Sequence, residues 1–278
     1  MPRALLLENI HPLAVSKLTD AGYDVTTLKG ALDESELIAA LDGVSLLGIR
    51  SKTQVTQAVL AASDLDAIGA FCIGTNQIDL VAAADQGVAV FNAPFSNTRS
   101  VVELAVGEII ALTRRLTVQN SSLHKGVWNK SADGAHEVRG RTLGIVGYGN
   151  IGTQLSVVAE ALGMRVVFYD SAEKLALGNA RRLQSLDELL AEADIVTLHV
   201  DGRPGNAGMF GAAQFAAMRD GAIFLNLSRG FLVDYAALRE RILDGTLAGA
   251  AVDVFPIEPK SKGDDFDSDL RGLPNVIL

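Results

Sequence analysis

The chain has 278 residues, 49% hydrophobic and 21% charged, which is enough to bury a large core and suggests two domains. Its formal net charge is −9 and its Lys and Arg are scattered, so a nucleic-acid partner is excluded for want of a basic face. No apolar run reaches the ~18–20 residues needed to span a bilayer, and the single cysteine, Cys72, rules out an internal disulfide. The N-terminus MPRALLLENIHP has a short apolar run followed at once by Glu8, with no small-residue cleavage site. It reads as a first strand rather than a signal peptide, and the expected location is cytoplasmic.

Short apolar runs alternate with helical stretches through the first ninety residues. Strands are expected at 4–7, 24–28, 45–49, 65–73 and 88–91, and helices at 11–21, 55–62 and 79–85, with Gly22 and Gly87 as stops. Asp33 with Glu36 forms a capping-box pattern ahead of a further helix. This alternation predicts a parallel sheet with helices on its faces. Asn92-Ala93-Pro94 marks its end, and the domains are expected to span 1–97 and 98–278.

From Thr98 to Gly126, Val101, Val102, Leu104, Ala105, Ile109, Leu112 and Leu116 give a long helical pattern, apolar over much of its surface. Such a helix is expected to lie between bodies, either domains or subunits. A polar loop with the only tryptophan, Trp128, follows to Gly140.

The second half alternates again. Strands are expected at 194–200, 222–227, 247–252 and 274–278, with helices at 211–218 and 234–243, and Ser185 with Glu188 suggests a second capping box. The pattern predicts a doubly wound sheet of six or seven strands. Lys260–Asp269 is polar and expected to be a surface loop. The chain closes on LPNVIL, an apolar strand with nothing after it, so truncation is expected.

Leu143–Asp170, LGIVGYGNIGTQLSVVAEALGMRVVFYD, carries the strongest chemical signal. Gly147-Tyr148-Gly149-Asn150-Ile151-Gly152 matches G-x-G-x-x-G between a strand and a helix. Gly147 allows a tight turn, Gly149 lets the backbone approach a pyrophosphate, and Gly152 lets the helix pack on the strand. The N–H groups of Asn150 and Ile151 would face the phosphates. Asp170 ends the next strand 18 residues after Gly152. A carboxylate there accepts bonds from a ribose 2′-OH and repels a 2′-phosphate, so the expected cofactor is NAD rather than NADP.

Ligands of such sheets bind beyond the carboxyl ends of the strands. Arg229, in Ser228-Arg229-Gly230 after strand 222–227, would then face the cleft, where a guanidinium can clamp a carboxylate. Glu258 sits between Pro256 and Pro259 after strand 247–252, a rigid position for an orienting acid. A proton donor near neutral pH is usually histidine. His11, His124 and His136 read as surface residues. His199 lies near a strand's carboxyl end and would face the cofactor, but such a residue is more often structural than a proton donor.

GIVGYGNIGTQL, NLSRG and AVDVFPIEP, with IRSKT and FCIGTNQIDL…FNAPFSNTRSVVELAVGEII upstream, closely resemble the D-isomer-specific 2-hydroxyacid dehydrogenases from about Ile49 to Leu278. The resemblance implies an NAD-binding Rossmann domain plus a smaller flavodoxin-like α/β substrate domain. FCIGTNQIDL with VWNK points within the family to oxidation of 3-phosphoglycerate, a phosphorylated 2-hydroxy acid; glyoxylate or hydroxypyruvate reduction and a non-catalytic NAD-sensing role are the alternatives. By resemblance, Arg229 holds the 2-oxo acid and Glu258 pairs with a catalytic histidine. Asn150, Ile151, Asp170, Leu227, Ser228, Arg229 and Asp253 would contact NAD. Arg50, Ser51 and Asn97 would hold the substrate's carboxylate or phosphate. Trp128 and Lys130 would lie on a loop reaching a neighbouring subunit, consistent with a homo-oligomer through the 98–126 region. The family's strand matching NVIL runs into Thr-Pro-His, whose histidine is the proton donor, and further segments, including a regulatory domain, follow it. The 278-residue chain stops short of these, so weak NAD binding and very slow turnover are expected of it. Leucine in NLSRG, where alanine is commoner, and HVDG, where proline often follows His-Val, read as tolerated variation.

Overall fold

Five parallel strands of four residues each build the first sheet: β1 (Arg3–Leu6), β2 (Asp24–Thr27), β3 (Leu46–Ile49), β4 (Ala67–Ala70) and β5 (Ala89–Asn92). Their order is β2-β1-β3-β4-β5, the flavodoxin-like doubly wound order. Four helices connect them: α1 (Pro12–Asp20), α2 (Glu34–Ala40), α3 (Gln57–Ala61) and α4 (Leu80–Asp85). Leu5, Leu47, Ile49 and Ile68 from the sheet, with Leu7 just after β1, pack with Leu37, Val59 and Ala83 from the helices. The capping box at α2 forms in full: Glu36 N–H donates to Asp33 Oδ1 at 2.8 Å, and Asp33 N–H donates to Glu36 Oε2 at 3.1 Å. Strand β4 is shorter than the apolar run predicts, because the chain turns at Phe71–Ile73.

The computed structural model describes residues 1–259 and 263–278 and divides into two units, Met1–Asn97 and Thr98–Leu278. The second opens with α5 (Thr98–Thr113) and α6 (Leu116–His124). The expected single helix over 98–126 is therefore two. Arg115 adopts a left-handed φ of 53° and breaks the ladder. Leu112 and Leu116 keep helical spacing across the break, so apolar periodicity does not register the change in backbone sign. α5 buries Val102, Ala105, Ile109 and Leu112, whereas α6 buries nothing.

The rest of this unit alternates β6 (Thr142–Val146), α7 (Asn150–Ala161), β7 (Arg165–Tyr169), β8 (Arg181–Arg182), α8 (Leu186–Glu192), β9 (Ile195–Leu198), α9 (Ala212–Ala217), β10 (Ala222–Asn226), α10 (Tyr235–Leu243), β11 (Leu247–Val252) and β12 (Val276–Ile277). The sheet order is β12-β11-β10-β9-β6-β7-β8, all parallel. This is the Rossmann order with one more strand at the β12 edge, and it places the topological switch between β6 and β9. Both faces are covered, so β6, β9 and β10 are buried along their whole length. Phe210, Phe215 and Phe224 form an aromatic knot on one face, with ring centroids 4.7–5.1 Å apart. Burying each such ring contributes about 1.5–3 kcal/mol.

Two local readings change. Strand β8 has only two residues and escapes a search for apolar runs. At α8 the Ser185 hydroxyl accepts the Glu188 N–H at 3.2 Å, but Glu188 reaches back to Gln184 N–H at 3.0 Å, one residue beyond the expected box. Of the expected loop 260–269, residues 260–262 lie outside the described residues; 263–269 carry no helix or strand.

Candidate cofactor and active site

At the end of β6 the chain turns at Gly147, with φ of 92°. A Cβ there would sit 2.6 Å from the His199 carbonyl oxygen, and one on Gly152 would collide with the Gly147 carbonyl. Both positions exclude larger residues. Gly149 differs: a Cβ on it would meet nothing within 4 Å. It caps α7 with no side-chain hydrogen bond, leaving the first-turn N–H groups at Asn150 and Ile151 without a side-chain acceptor. An open cradle over free N–H groups at a helix N-terminus fits a pyrophosphate.

Asp170 follows β7, and its Oδ2 accepts the Tyr148 N–H at 2.8 Å. The carboxylate thus tethers the glycine turn, with lone pairs left for ribose hydroxyls. Tyr148 points inward. Its hydroxyl lies 2.7 Å from Ser156 Oγ, and its ring stacks on Phe168 at 3.7 Å. Residue identity at this variable motif position gave no warning that it is a buried anchor.

His199 caps the other side of the switch, at the end of β9. Its N–H donates to Val146 O at 2.7 Å, and its Nε2 lies 3.0 Å from Thr197 Oγ1. The residue as a whole is partly exposed, but Nδ1 is buried without a partner. Burial pushes its pKa down to about 4, so the ring is neutral near pH 7 and is not set up as a proton donor. It forms the wall against which Gly147 packs.

Two further loops leave β10 and β11 side by side. Leu227 and Ser228 are buried, and the Ser228 hydroxyl donates to Leu198 O at 2.7 Å, fixing the loop to the end of β9. Arg229 is extended, and its Nη1 donates to Ser228 O at 2.7 Å; the fork retains other N–H donors. A Cβ on Gly230 would overlap the Phe255 carbonyl group, so the Arg229 loop packs directly on the Glu258 loop. Asp253 N–H donates to Asn226 O at 3.1 Å, and exposed Glu258 accepts the Phe255 N–H at 3.3 Å. Burial, then the Glu258 charge, raises the Asp253 carboxyl. Glu108 on α5 is 7% exposed, with Oε2 buried and unpartnered. Burial, then Asp253, pushes its pKa up to about 7.

Two residues of this region went unread in the sequence. Asn226 is fully buried and bonds both loops; its signal was an amide ending the otherwise apolar strand AIFLN. Tyr235, the first residue of α10, donates to Val254 O at 2.6 Å.

In the first unit, Arg50 and Ser51 are exposed just after β3, and Asn97 is exposed at the unit's end. Glu8, at 8% exposure, accepts the N–H groups of Arg50, Lys52 and Thr53 at 3.2, 3.0 and 2.9 Å. Gln77 Nε2 donates to Arg50 O at 2.7 Å. This acid, read above only as an interruption of the first apolar run, is the inner support of the 50–53 loop. Among the described residues no group of His, Cys, Asp and Glu could hold a metal ion.

A family profile described as "D-isomer specific 2-hydroxyacid dehydrogenase, NAD binding domain" matches residues 106–278. The chain belongs to the D-isomer specific 2-hydroxyacid dehydrogenases. The chain is 51% identical over 276 residues to D-3-phosphoglycerate dehydrogenase of Haemophilus influenzae, covering 99% of this chain and 67% of that protein. It is 50% identical over 283 residues to D-3-phosphoglycerate dehydrogenase 2 of Saccharomyces cerevisiae, covering 99% and 60%. It thus spans 60–67% of the length of these relatives. The solved structure of Aquifex aeolicus D-lactate dehydrogenase, complexed with NAD and lactic acid, aligns with a TM-score of 0.85 at 26% identity, over 99% of this chain and 86% of that one. The glycine turn, Asp170 and the loops after β10 and β11 all fall within the matched NAD-binding domain of this dehydrogenase family.

Proposed function

We propose that the protein oxidises 3-phospho-D-glycerate to 3-phosphohydroxypyruvate with NAD, the first step of L-serine biosynthesis. The observation that carries this is 51% identity across 99% of the chain to a protein named D-3-phosphoglycerate dehydrogenase. In this reading the second unit is the NAD-binding domain and the first the substrate domain. NAD, when bound, supplies the hydride acceptor. The α7 N-terminus at Asn150 and Ile151 holds its pyrophosphate, and Asp170 holds the ribose hydroxyls. Leu227, Ser228, Asp253 and the His199 wall line the rest of the cofactor's path. Arg229 clamps the substrate carboxylate and polarises C2–O, while Arg50, Ser51 and Asn97 hold carboxylate or phosphate. Glu258 orients the imidazole that takes the hydroxyl proton.

None of this chain's histidines fits that imidazole. His199 is held neutral by burial, and His11, His124 and His136 are exposed at the α1 cap, the end of α6 and the following loop. With none of these histidines as the proton acceptor, the 278 residues by themselves are expected to turn over very slowly. NADH formation should be detectable with 3-phosphoglycerate and lost when the phosphate is removed, as with D-glycerate. Preference for the unphosphorylated acid would overturn the substrate assignment; full-rate turnover would overturn the assignment of the proton step.

A homo-oligomer through the 98–126 region fits the 40%, 52% and 50% exposures of Leu104, Leu116 and Leu123 on α5 and α6. In this reading Trp128 and Lys130, on the following loop, reach a neighbouring subunit. Sedimentation of a monomer at micromolar concentration would contradict this. No helix among the described residues is long and apolar enough to cross a membrane. A cytoplasmic location, checked by cell fractionation, fits a chain whose one cysteine is free.

A further inference from the structure

Asn226 makes four hydrogen bonds that reach both functional loops. Its Nδ2 donates to Arg229 O and to Tyr235 Oη, each at 3.0 Å. Its Oδ1 accepts the Ser228 N–H at 3.1 Å, and its main-chain carbonyl accepts the Asp253 N–H, also at 3.1 Å. Tyr235 passes the connection on, since its hydroxyl donates to Val254 O at 2.6 Å. The loops also touch where Gly230 lies against the Phe255 carbonyl. Asn226 is fully buried and Tyr235 is 6% exposed, so water does not compete for these bonds.

From this geometry we infer that Asn226 and Tyr235 are a positioning pair that couples the Arg229 loop to the Glu258 loop, so that the carboxylate clamp and the orienting acid are set together. The roles of Arg229 and Glu258 rest on the functional reading above; the coupling itself does not. An amide suits the hub because it donates on one side and accepts on the other. A carboxylate would face the Arg229 carbonyl with a lone pair, and an aliphatic side chain would leave Arg229 O and Ser228 N–H without these bonds. Tyr235 alone touches only the Val254 side directly. Its hydroxyl reaches the Arg229 side through Asn226, beside the Gly230 contact and the short chain segment 230–234.

That asymmetry supplies the test. Hydrogen exchange read by mass spectrometry is run on the 278-residue chain, on Tyr235→Phe and on Asn226→Asp, with and without NAD. Tyr235→Phe should speed exchange about tenfold across 228–230 as well as across 253–257, while β6 and α7 keep wild-type rates. Asn226→Asp should do the same to both segments. Loosening confined to 253–257 in Tyr235→Phe overturns the coupling. So does loosening that spreads equally to β6 and α7, the mark of a merely structural role. In a second measurement, the affinity for 3-phosphohydroxypyruvate in the presence of NADH should fall about fivefold in Tyr235→Phe, and by more than NADH affinity, whose contacts at Asn150, Ile151 and Asp170 lie outside the loosened loops. Equal losses of both again indicate general destabilisation and overturn a positioning role. Failure of wild type to show NAD protection at Gly147–Gly152 would instead sink the cofactor reading, and the exchange pattern of the two loops would still decide the coupling.

Discussion

The Asp170 carboxylate accepts the Tyr148 N–H through Oδ2 at 2.8 Å and the Ala172 N–H through Oδ1 at 2.9 Å, so one side chain joins the glycine turn to the segment leaving β7. On the proposed function, cofactor recognition and turn geometry depend on the same group. Asp170→Ala should lower NAD affinity tenfold or more, about 1.4 kcal/mol, when titrated by calorimetry. Asp170→Asn keeps an acceptor but loses the charge that repels a 2′-phosphate, so it should narrow the preference for NAD over NADP. Unchanged NAD binding by Asp170→Ala would remove Asp170 from the site.

Gly152→Ala tests the packing beneath the turn. The added methyl meets the Gly147 carbonyl, a main-chain atom that cannot swing aside. Overpacking of this kind costs about 1–3 kcal/mol, and shifting the turn would also close the cradle at Gly149. Urea unfolding should show the loss, with NAD protection weakened in parallel. Gly149→Ala is the control: its Cβ meets nothing within 4 Å, so folding should be nearly unchanged while NAD binding falls.

Much of this site was legible because the relevant signals are local. The G-x-G-x-x-G turn, Asp170, and the loops after β10 and β11 follow from strand-helix alternation and the rule that ligands gather at strand carboxyl ends. Tyr235 and Glu8 were not, because each acts through backbone atoms of segments distant in sequence, and Asn226 was not, because only the folded loop turns Ser228 N–H and Arg229 O back onto its side chain. Glu8 bonds Thr53 across 45 residues and Tyr235 bonds Val254 across 19. Arg115 hid for another reason: side-chain periodicity continues through Leu116 although the backbone reverses its φ. Strand β8 was too short to leave a pattern.

Glu8 links acidity to the 50–53 loop. Burial alone would raise its carboxyl. The adjacent Thr53 hydroxyl, which lacks a well-formed hydrogen bond, and the N–H groups of Thr53, Lys52 and Arg50 outweigh burial and hold it below the usual 4.5. A carboxyl with a depressed native pKa stabilises the fold above its unfolded value, and that stabilisation is lost as pH falls through the native one. Exchange at 50–53 should therefore accelerate below about pH 4.5 relative to neighbouring segments. Glu8→Gln should have a looser loop at neutral pH and lose this acid-dependent step. A Glu8→Gln profile that still tracks wild type would show that another group controls the loop.

Glu108 carries the opposite sign. Burial and, next, the Asp253 charge push its pKa from the usual 4.5 up to about 7, and its Oε2 has no partner. A carboxyl harder to ionise in the folded state costs nothing while it is protonated in both states. The penalty grows as pH rises from about 4.5 to 7 and stays constant above that. At one unit per 1.36 kcal/mol, the rise from 4.5 to about 7 makes the full penalty about 3 kcal/mol. Glu108→Gln removes the charge with little change of shape. It should match wild type in urea unfolding at pH 4 and exceed it by that amount at pH 8. An equal gain at both pH values would mean that packing, not ionisation, sets the difference; no gain at pH 8 would mean that Glu108 is well solvated or paired when charged.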